Sequence, residues 1–180
     1  SPLGRPIVWM HGTPGARRQI PLVAREVADR DGLRIIGVDR PGIGSSTPYV
    51  YPSLSDWVGD LEILADTLGI DRFDVIGLSG GGPYTLAAGA CLPHRVDKLA
   101  VIGGVAPTVG PDAIGGGVVG ALRRTAPAVR VARVPLGLSL TVALRLARPL
   151  AGTALDLYRI GQPDGDKRLL GRPEFKAMFL

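Results

Sequence analysis

A chain of 180 residues with 46% apolar content is of single-domain size, about 100–200 residues, and can bury a sizeable core. Its single cysteine, Cys91, excludes an internal disulfide. The net charge of +5 is uneven, −1 over residues 1–100 and +6 over residues 101–180. No basic–aromatic groove pattern accompanies the late basic excess, which therefore reads as solvated helices, with no nucleic-acid partner expected.

The first apolar run, Ile7 to Met10, reads as a strand ending at His11-Gly12. Pro21 to Arg30 has helical spacing and closes at Asp31-Gly32. Arg34 to Val38 is the second strand, followed by a Gly/Pro/Ser-rich loop from Pro41 to Pro52. Ser53 to Leu68 reads as a helix capped by Ser53 or Ser55, with Trp57, Leu61, Leu64 and Leu68 recurring every three to four residues and Gly69 stopping it. Phe73 to Leu78 is the third strand, Gly81 to Cys91 a small-residue helix stopped before Pro93, and Val96 to Ile102 the fourth strand. Cys91 is expected to be a small core residue. Strands alternating with single helices imply a parallel sheet with right-handed crossovers, and near-continuous apolar strands imply cover on both faces.

After Val105 the pattern changes. A glycine-rich stretch, Pro107 to Gly120, is followed by helical pieces at Val118–Thr125, Ala128–Arg133, Leu138–Ala147, Ala154–Ile160 and Glu174–Leu180. No further strand and no internal repeat is expected. The longest charge-free stretch there, Val134 to Leu144, is shorter than the roughly 20 residues that span a bilayer. The chain opens without a signal peptide or an initiator methionine, so its natural start is expected upstream and a cytoplasmic location is expected.

The segment Gly77-Leu78-Ser79-Gly80-Gly81 carries the chemistry. It is a G-x-S-x-G turn between a strand and a helix, where the nucleophilic hydroxyl is pushed out of the sheet. A side chain at Gly77 or Gly81 would collide with neighbouring backbone. The turn also sets Ser79 at a helix N-terminus, which favours developing negative charge. Two rivals fit less well. A dinucleotide loop needs glycine where Ser79 stands, and an acid after the fourth strand. A phosphate-binding P-loop needs Gly-Lys-Ser/Thr, which does not occur. The segment His11-Gly12-Thr13-Pro14-Gly15 follows the first strand and can turn the Thr13 N–H toward Ser79. The N–H of Gly80 is the second candidate donor of an oxyanion hole. Asp39-Arg40-Pro41-Gly42-Ile43-Gly44-Ser45 follows the second strand and reads as a rigid loop.

These three segments, in this order, resemble the α/β-hydrolase superfamily, in the His-Gly-x-Pro-Gly branch of proline iminopeptidase-like and esterase-like members. The motif match covers residues 7–105. The resemblance implies a partial α/β-hydrolase fold: a parallel sheet of about four strands in the spatial order 2-1-3-4, with flanking helices. It implies a core over residues 1–105, a helical cap or lid over 106–180, and C-terminal core strands outside this chain. It implies a serine hydrolase with Ser79 as nucleophile, acting on a small-molecule ester, thioester or amide without cofactor or metal. Serine at the elbow sets the chain apart from epoxide hydrolases and haloalkane dehalogenases, which resemble this fold but place aspartate there.

A serine nucleophile needs a base and an orienting carboxylate. His11 belongs to the oxyanion loop, and His94 should lie at the far end of the helix that starts at Gly81. Asp112 is a candidate for the acid that reads as the cap of the next helix. The triad acid and histidine are expected beyond Leu180, so the 180-residue chain alone is expected to be inactive. The alternative is a non-catalytic α/β-hydrolase-like binding or interaction module, and a membrane-associated acyl hydrolase is a weaker third. Trp57, Tyr84, Leu136 and Leu138 are candidates for an apolar pocket wall, and apolar sheet edges are expected to drive self-association.

Overall fold

The computed structural model describes residues 3–107, 111, 113–114 and 132–178. Four strands form its sheet: β1 (Arg5–Met10), β2 (Leu33–Val38), β3 (Phe73–Leu78) and β4 (Val96–Ile102). All are parallel, in the order β2-β1-β3-β4, as the family resemblance implies. The register sets Trp9 beside Gly37 on one side and Ile76 on the other.

The connections are helices α1 (Leu22–Arg30), α2 (Leu54–Thr67) and α3 (Gly82–Cys91). Ser53 caps α2: its hydroxyl accepts from the Asp56 N–H while the Asp56 carboxylate accepts from the Ser53 N–H. Such a reciprocal cap is worth about 1 kcal/mol. Gly69, at φ +66°, takes the left-handed turn that ends the helix.

The core lies where α2 and α3 meet the sheet. Val8, Met10, Phe73 and Val75 pack there against Trp57, Val58, Leu61, Ala65 and Ala88. Full burial of one such large side chain contributes roughly 1.5–3 kcal/mol. Alternation along β3 sends Phe73, Val75 and Gly77 inward. β4 departs from the expectation of cover on both faces. Leu99 is 46% and Ile102 50% exposed, because β4 is a sheet edge and α3 shields it only in part. Cys91, expected in the core, is exposed on the last residue of α3.

The later described elements are all helical: α4 (Arg133–Ala147), a 3₁₀ turn (Arg148–Leu150), α5 (Ala151–Ile160), α6 (Asp164–Leu170) and α7 (Pro173–Lys176). α4 starts five residues before the expected Leu138, because Pro135 falls in its first turn, where no N–H is required of it. α6 was not anticipated. It is seven residues long with Gly165 inside it, too short for a periodic signal. The helix expected at Val118–Thr125, residues 128–131 of the one expected at Ala128–Arg133, and Asp112 lie outside the described residues; Arg133 opens α4 instead. No helix among the described residues is long and apolar enough to cross a membrane.

Candidate active site

β3 ends at Leu78, and the chain turns at once through a 3₁₀ turn, Ser79–Gly81, into α3. Ser79 is the one non-glycine residue with positive φ, at 48°, among the described residues. A left-handed conformation costs an L-residue roughly 1–2 kcal/mol, and here it swings the half-buried serine side chain out of the strand line. The turn is closed by close backbone approach. A β-carbon at Gly81 would stand 2.9 Å from the His11 carbonyl oxygen, and one at Gly77 would stand 2.8 Å from the Gly81 carbonyl oxygen. Side chains are therefore barred at both positions, for the reason the sequence suggested.

The loop after β1 lies directly against this turn. A β-carbon on Gly12 would lie 3.4 Å from the Ser79 β-carbon, and one on Gly80 would lie 2.5 Å from Thr13 Oγ1. The structure thus brings Thr13, Ser79 and Gly80 together. Two buried side chains hold the loop. Gln19 Oε1 accepts the Gly12 N–H at 2.6 Å, and Gln19 Nε2 donates to the Pro14 carbonyl at 3.2 Å. On the other side, Arg40 Nη2 donates to the Gly12 carbonyl at 2.9 Å and to Thr13 Oγ1 at 2.7 Å. Its Nη1 donates to the Gly80 carbonyl at 2.6 Å, and its guanidinium carbon stands 5.0 Å from the centre of the Tyr84 ring.

His11 is fully buried. Its Nδ1–H donates to the Gly12 carbonyl at 2.7 Å, and its Nε2 accepts the Arg40 N–H at 3.4 Å. Burial first, then the Arg40 charge, push its pKa down to about 4, so the ring is neutral at pH 7. With both nitrogens engaged, His11 is a structural member of the loop and not a base. His94 follows the C-terminal end of α3, about 15 Å along the helix from its start. Its Nε2 lies 3.6 Å from Glu62 Oε1, with the side chain well exposed. Neither histidine serves Ser79.

Asp39, next to Arg40, organises the loop after β2. It accepts the backbone N–H of Arg17 at 2.6 Å and pairs with the Arg17 guanidinium. The Arg17 and Ser45 hydrogen bonds outweigh desolvation and hold its carboxyl below the usual value. Sequence reasoning gave this loop only a rigid-spacer role and missed Arg40 and Gln19. The sole available signal was a charged pair directly after an apolar strand.

Of the candidate pocket-wall residues, Trp57 and Tyr84 pack edge to face, 4.9 Å between ring centres, within the core region. Leu136 and Leu138 are exposed on α4. An open groove of about 620 Å³ runs beside β2 and α2, lined by Arg17, Asp39, Ser46, Tyr49 and Tyr51 among others, and Ser79 is not part of it. Among the described residues no cluster of histidine, cysteine and carboxylate side chains could hold a metal ion.

Comparison with known proteins agrees with the fold. The family model for the alpha/beta hydrolase fold matches residues 5–164. The chain is 33% identical over 126 residues to a 2-hydroxy-6-oxo-2,4-heptadienoate hydrolase of Pseudomonas putida, covering 63% of this chain and 44% of that protein. It is 35% identical over 106 residues to a proline iminopeptidase of Xylella fastidiosa, covering 57% of this chain and 33% of that protein. Among solved structures, a 2-hydroxy-6-oxo-6-phenylhexa-2,4-dienoate hydrolase from a Rhodococcus species superposes with a TM-score of 0.50 at 28% identity, over 59% of this chain and 41% of that one. The chain spans less than half the length of these curated relatives.

Proposed function

The chain belongs to the α/β-hydrolase family, and from that premise we propose that it carries the nucleophile and oxyanion hole of a serine hydrolase acting on a small ester, thioester or amide. One observation carries the reading: Ser79 sits at φ 48° on a strand-to-helix turn with the Gly12–Thr13 segment against it. Among the described residues, no hydrogen bond outside the helices and strands uses the N–H of Thr13 or of Gly80.

In this mechanism the Ser79 hydroxyl oxygen attacks the substrate carbonyl carbon, and its proton passes to a histidine outside these 180 residues, whose own two, His11 and His94, are engaged elsewhere. The carbonyl electron pair moves onto oxygen, where the N–H groups of Thr13 and Gly80 hold the charge. Collapse of this intermediate expels the alcohol, thiol or amine, which takes the proton back from the histidine. Water then releases the acyl group by the same steps in reverse order. Helices α4 to α7 act as a cap: Arg145 of α4 donates to the Ser46 carbonyl at 2.7 Å, which ties α4 to the loop after β2.

A non-catalytic binding module is the second reading, favoured by the engagement of both His11 ring nitrogens. Turnover of a p-nitrophenyl ester by the natural full-length polypeptide separates the two. The hydrolase reading expects turnover that Ser79→Ala abolishes; turnover that survives Ser79→Ala removes the mechanism.

A further inference from the structure

Arg40 presents an unusual arrangement. It is 8% exposed, yet among the described residues no carboxylate lies within ion-pair distance of it. Buried guanidinium groups normally find an anion. This one is satisfied by two main-chain carbonyls, those of Gly12 and Gly80, together with the Thr13 hydroxyl and the face of Tyr84.

The identity of those carbonyls matters. A trans peptide is planar, and its C=O and N–H point in opposite directions. The Gly12 carbonyl shares its peptide plane with the Thr13 N–H. That carbonyl is gripped twice, by Arg40 Nη2 at 2.9 Å and by His11 Nδ1 at 2.7 Å, so both lone pairs are used. Fixing the oxygen fixes the direction of the N–H on the far side of the plane. The Ser79 carbonyl, which shares its plane with the Gly80 N–H, is fixed independently: it accepts from Gly82 N–H and, at 3.3 Å, from Val105 N–H. Two donor planes are therefore set by two separate anchors, and something must set their spacing. The Arg40 guanidinium does so through the neighbouring peptide: its Nη2 holds the Gly12 carbonyl of the first donor plane, while its Nη1 holds the Gly80 carbonyl, one peptide beyond the plane of the Gly80 N–H. A rigid planar fork keeps these two attachment points at a constant separation.

We infer that Arg40 is a positioning residue of the oxyanion hole, aiming the Thr13 N–H and fixing its distance from the elbow, while its charge adds positive potential behind the Thr13 donor. The inference rests on the serine-hydrolase reading and deepens it. Arg40 touches no reacting atom; it acts through the Gly12–Thr13 peptide. Lysine cannot replace it, since a single ammonium on a flexible stem has no fork to span both carbonyls.

The test uses the natural full-length polypeptide, a p-nitrophenyl ester series, and active-site titration with a fluorophosphonate to count competent Ser79. Arg40→Lys is expected to lower kcat per titrated site about 100-fold, the size of effect that follows misplacement of an oxyanion donor, with KM changed by no more than about threefold. A kcat within about threefold of the parent, or a loss confined to KM, overturns the inference. Should Arg40→Lys fail to fold, Thr13→Val decides. It keeps the Thr13 N–H but removes the hydroxyl that Arg40 Nη2 holds at 2.7 Å. A fall in kcat of about fivefold or more at constant KM supports the inference, and a smaller change overturns it. Ser79→Ala runs in parallel. Turnover that persists in Ser79→Ala defeats the hydrolase reading itself, whereas turnover lost there but retained in Arg40→Lys defeats only the role of Arg40.

Discussion

Replacing Ser79 by glycine should make the protein more stable while removing its chemistry. The side chain at position 79 is held at φ 48°, where an L-residue bears about 1–2 kcal/mol of strain and glycine bears none. Against this, glycine loses more backbone freedom on folding, about 0.5–1 kcal/mol. The difference leaves Ser79→Gly more stable by about 0.5–1 kcal/mol. The proper reference is Ser79→Ala, which keeps the β-carbon and hence the strain while also deleting the hydroxyl. For a chain of this size such a gain raises the melting temperature by roughly 1–4 °C. Thermal and urea melts of the two variants, side by side, measure it. Ser79→Gly melting below Ser79→Ala would show that position 79 is not strained, and the elbow geometry would lose its physical mark.

Three further outcomes follow from the site. Gly80→Ala places a β-carbon 2.5 Å from Thr13 Oγ1, about 0.9 Å inside ordinary contact, so Thr13 must yield; turnover should fall about 100-fold with a stability loss of about 1–2 kcal/mol, read by kinetics and melts together. Gly81→Ala meets main-chain carbonyls instead and should cost well over 3 kcal/mol, seen as a failure to accumulate folded protein. Stability should fall as pH drops from about 6.5 toward 4, because the unfolded state protonates His11 in that window and the folded state does not. The full span is on the order of 3 kcal/mol, and denaturant melts across pH should show His11→Asn flattening the slope. Finally, β4 is an exposed apolar edge, with Leu99 46% and Val101 39% exposed. If that edge drives association of the 180-residue chain, Leu99→Lys with Val101→Lys should shift it toward monomer in sedimentation velocity.

The sheet and the elbow were legible because their signals are local. Apolar runs at Ile7 to Met10 and Phe73 to Leu78 end at glycine-bearing turns, and period and punctuation alone place these strands and the helices between them. The strand order came from resemblance to a family and agrees with the observed pairing. What stayed hidden depends on contacts between distant segments. Gln19 and Arg40 hold the Gly12–Thr13 segment from residues 7 and 28 positions away from Gly12, and nothing in the residues around them marks the partner. Arg40 reads locally as one more arginine in a loop. Only the fold shows that its guanidinium is buried between two backbone carbonyls. The early start of α4 was missed for a different reason. Pro135 and Gly137 look like breakers, but proline in a first helical turn forfeits no hydrogen bond. Cys91 was misplaced because the small-residue pattern of α3 does not reveal which of its faces the sheet covers.

Labelling the natural full-length polypeptide with a fluorophosphonate and mapping the adduct by peptide mass spectrometry tests the nucleophile most directly. The tryptic peptide spanning residues 73–95 contains a single serine, Ser79, so its modification is unambiguous. The account predicts one adduct, on that serine, absent from Ser79→Ala. An adduct on another residue, or ester turnover with residue 79 unmodified in fully inhibited protein, would contradict it.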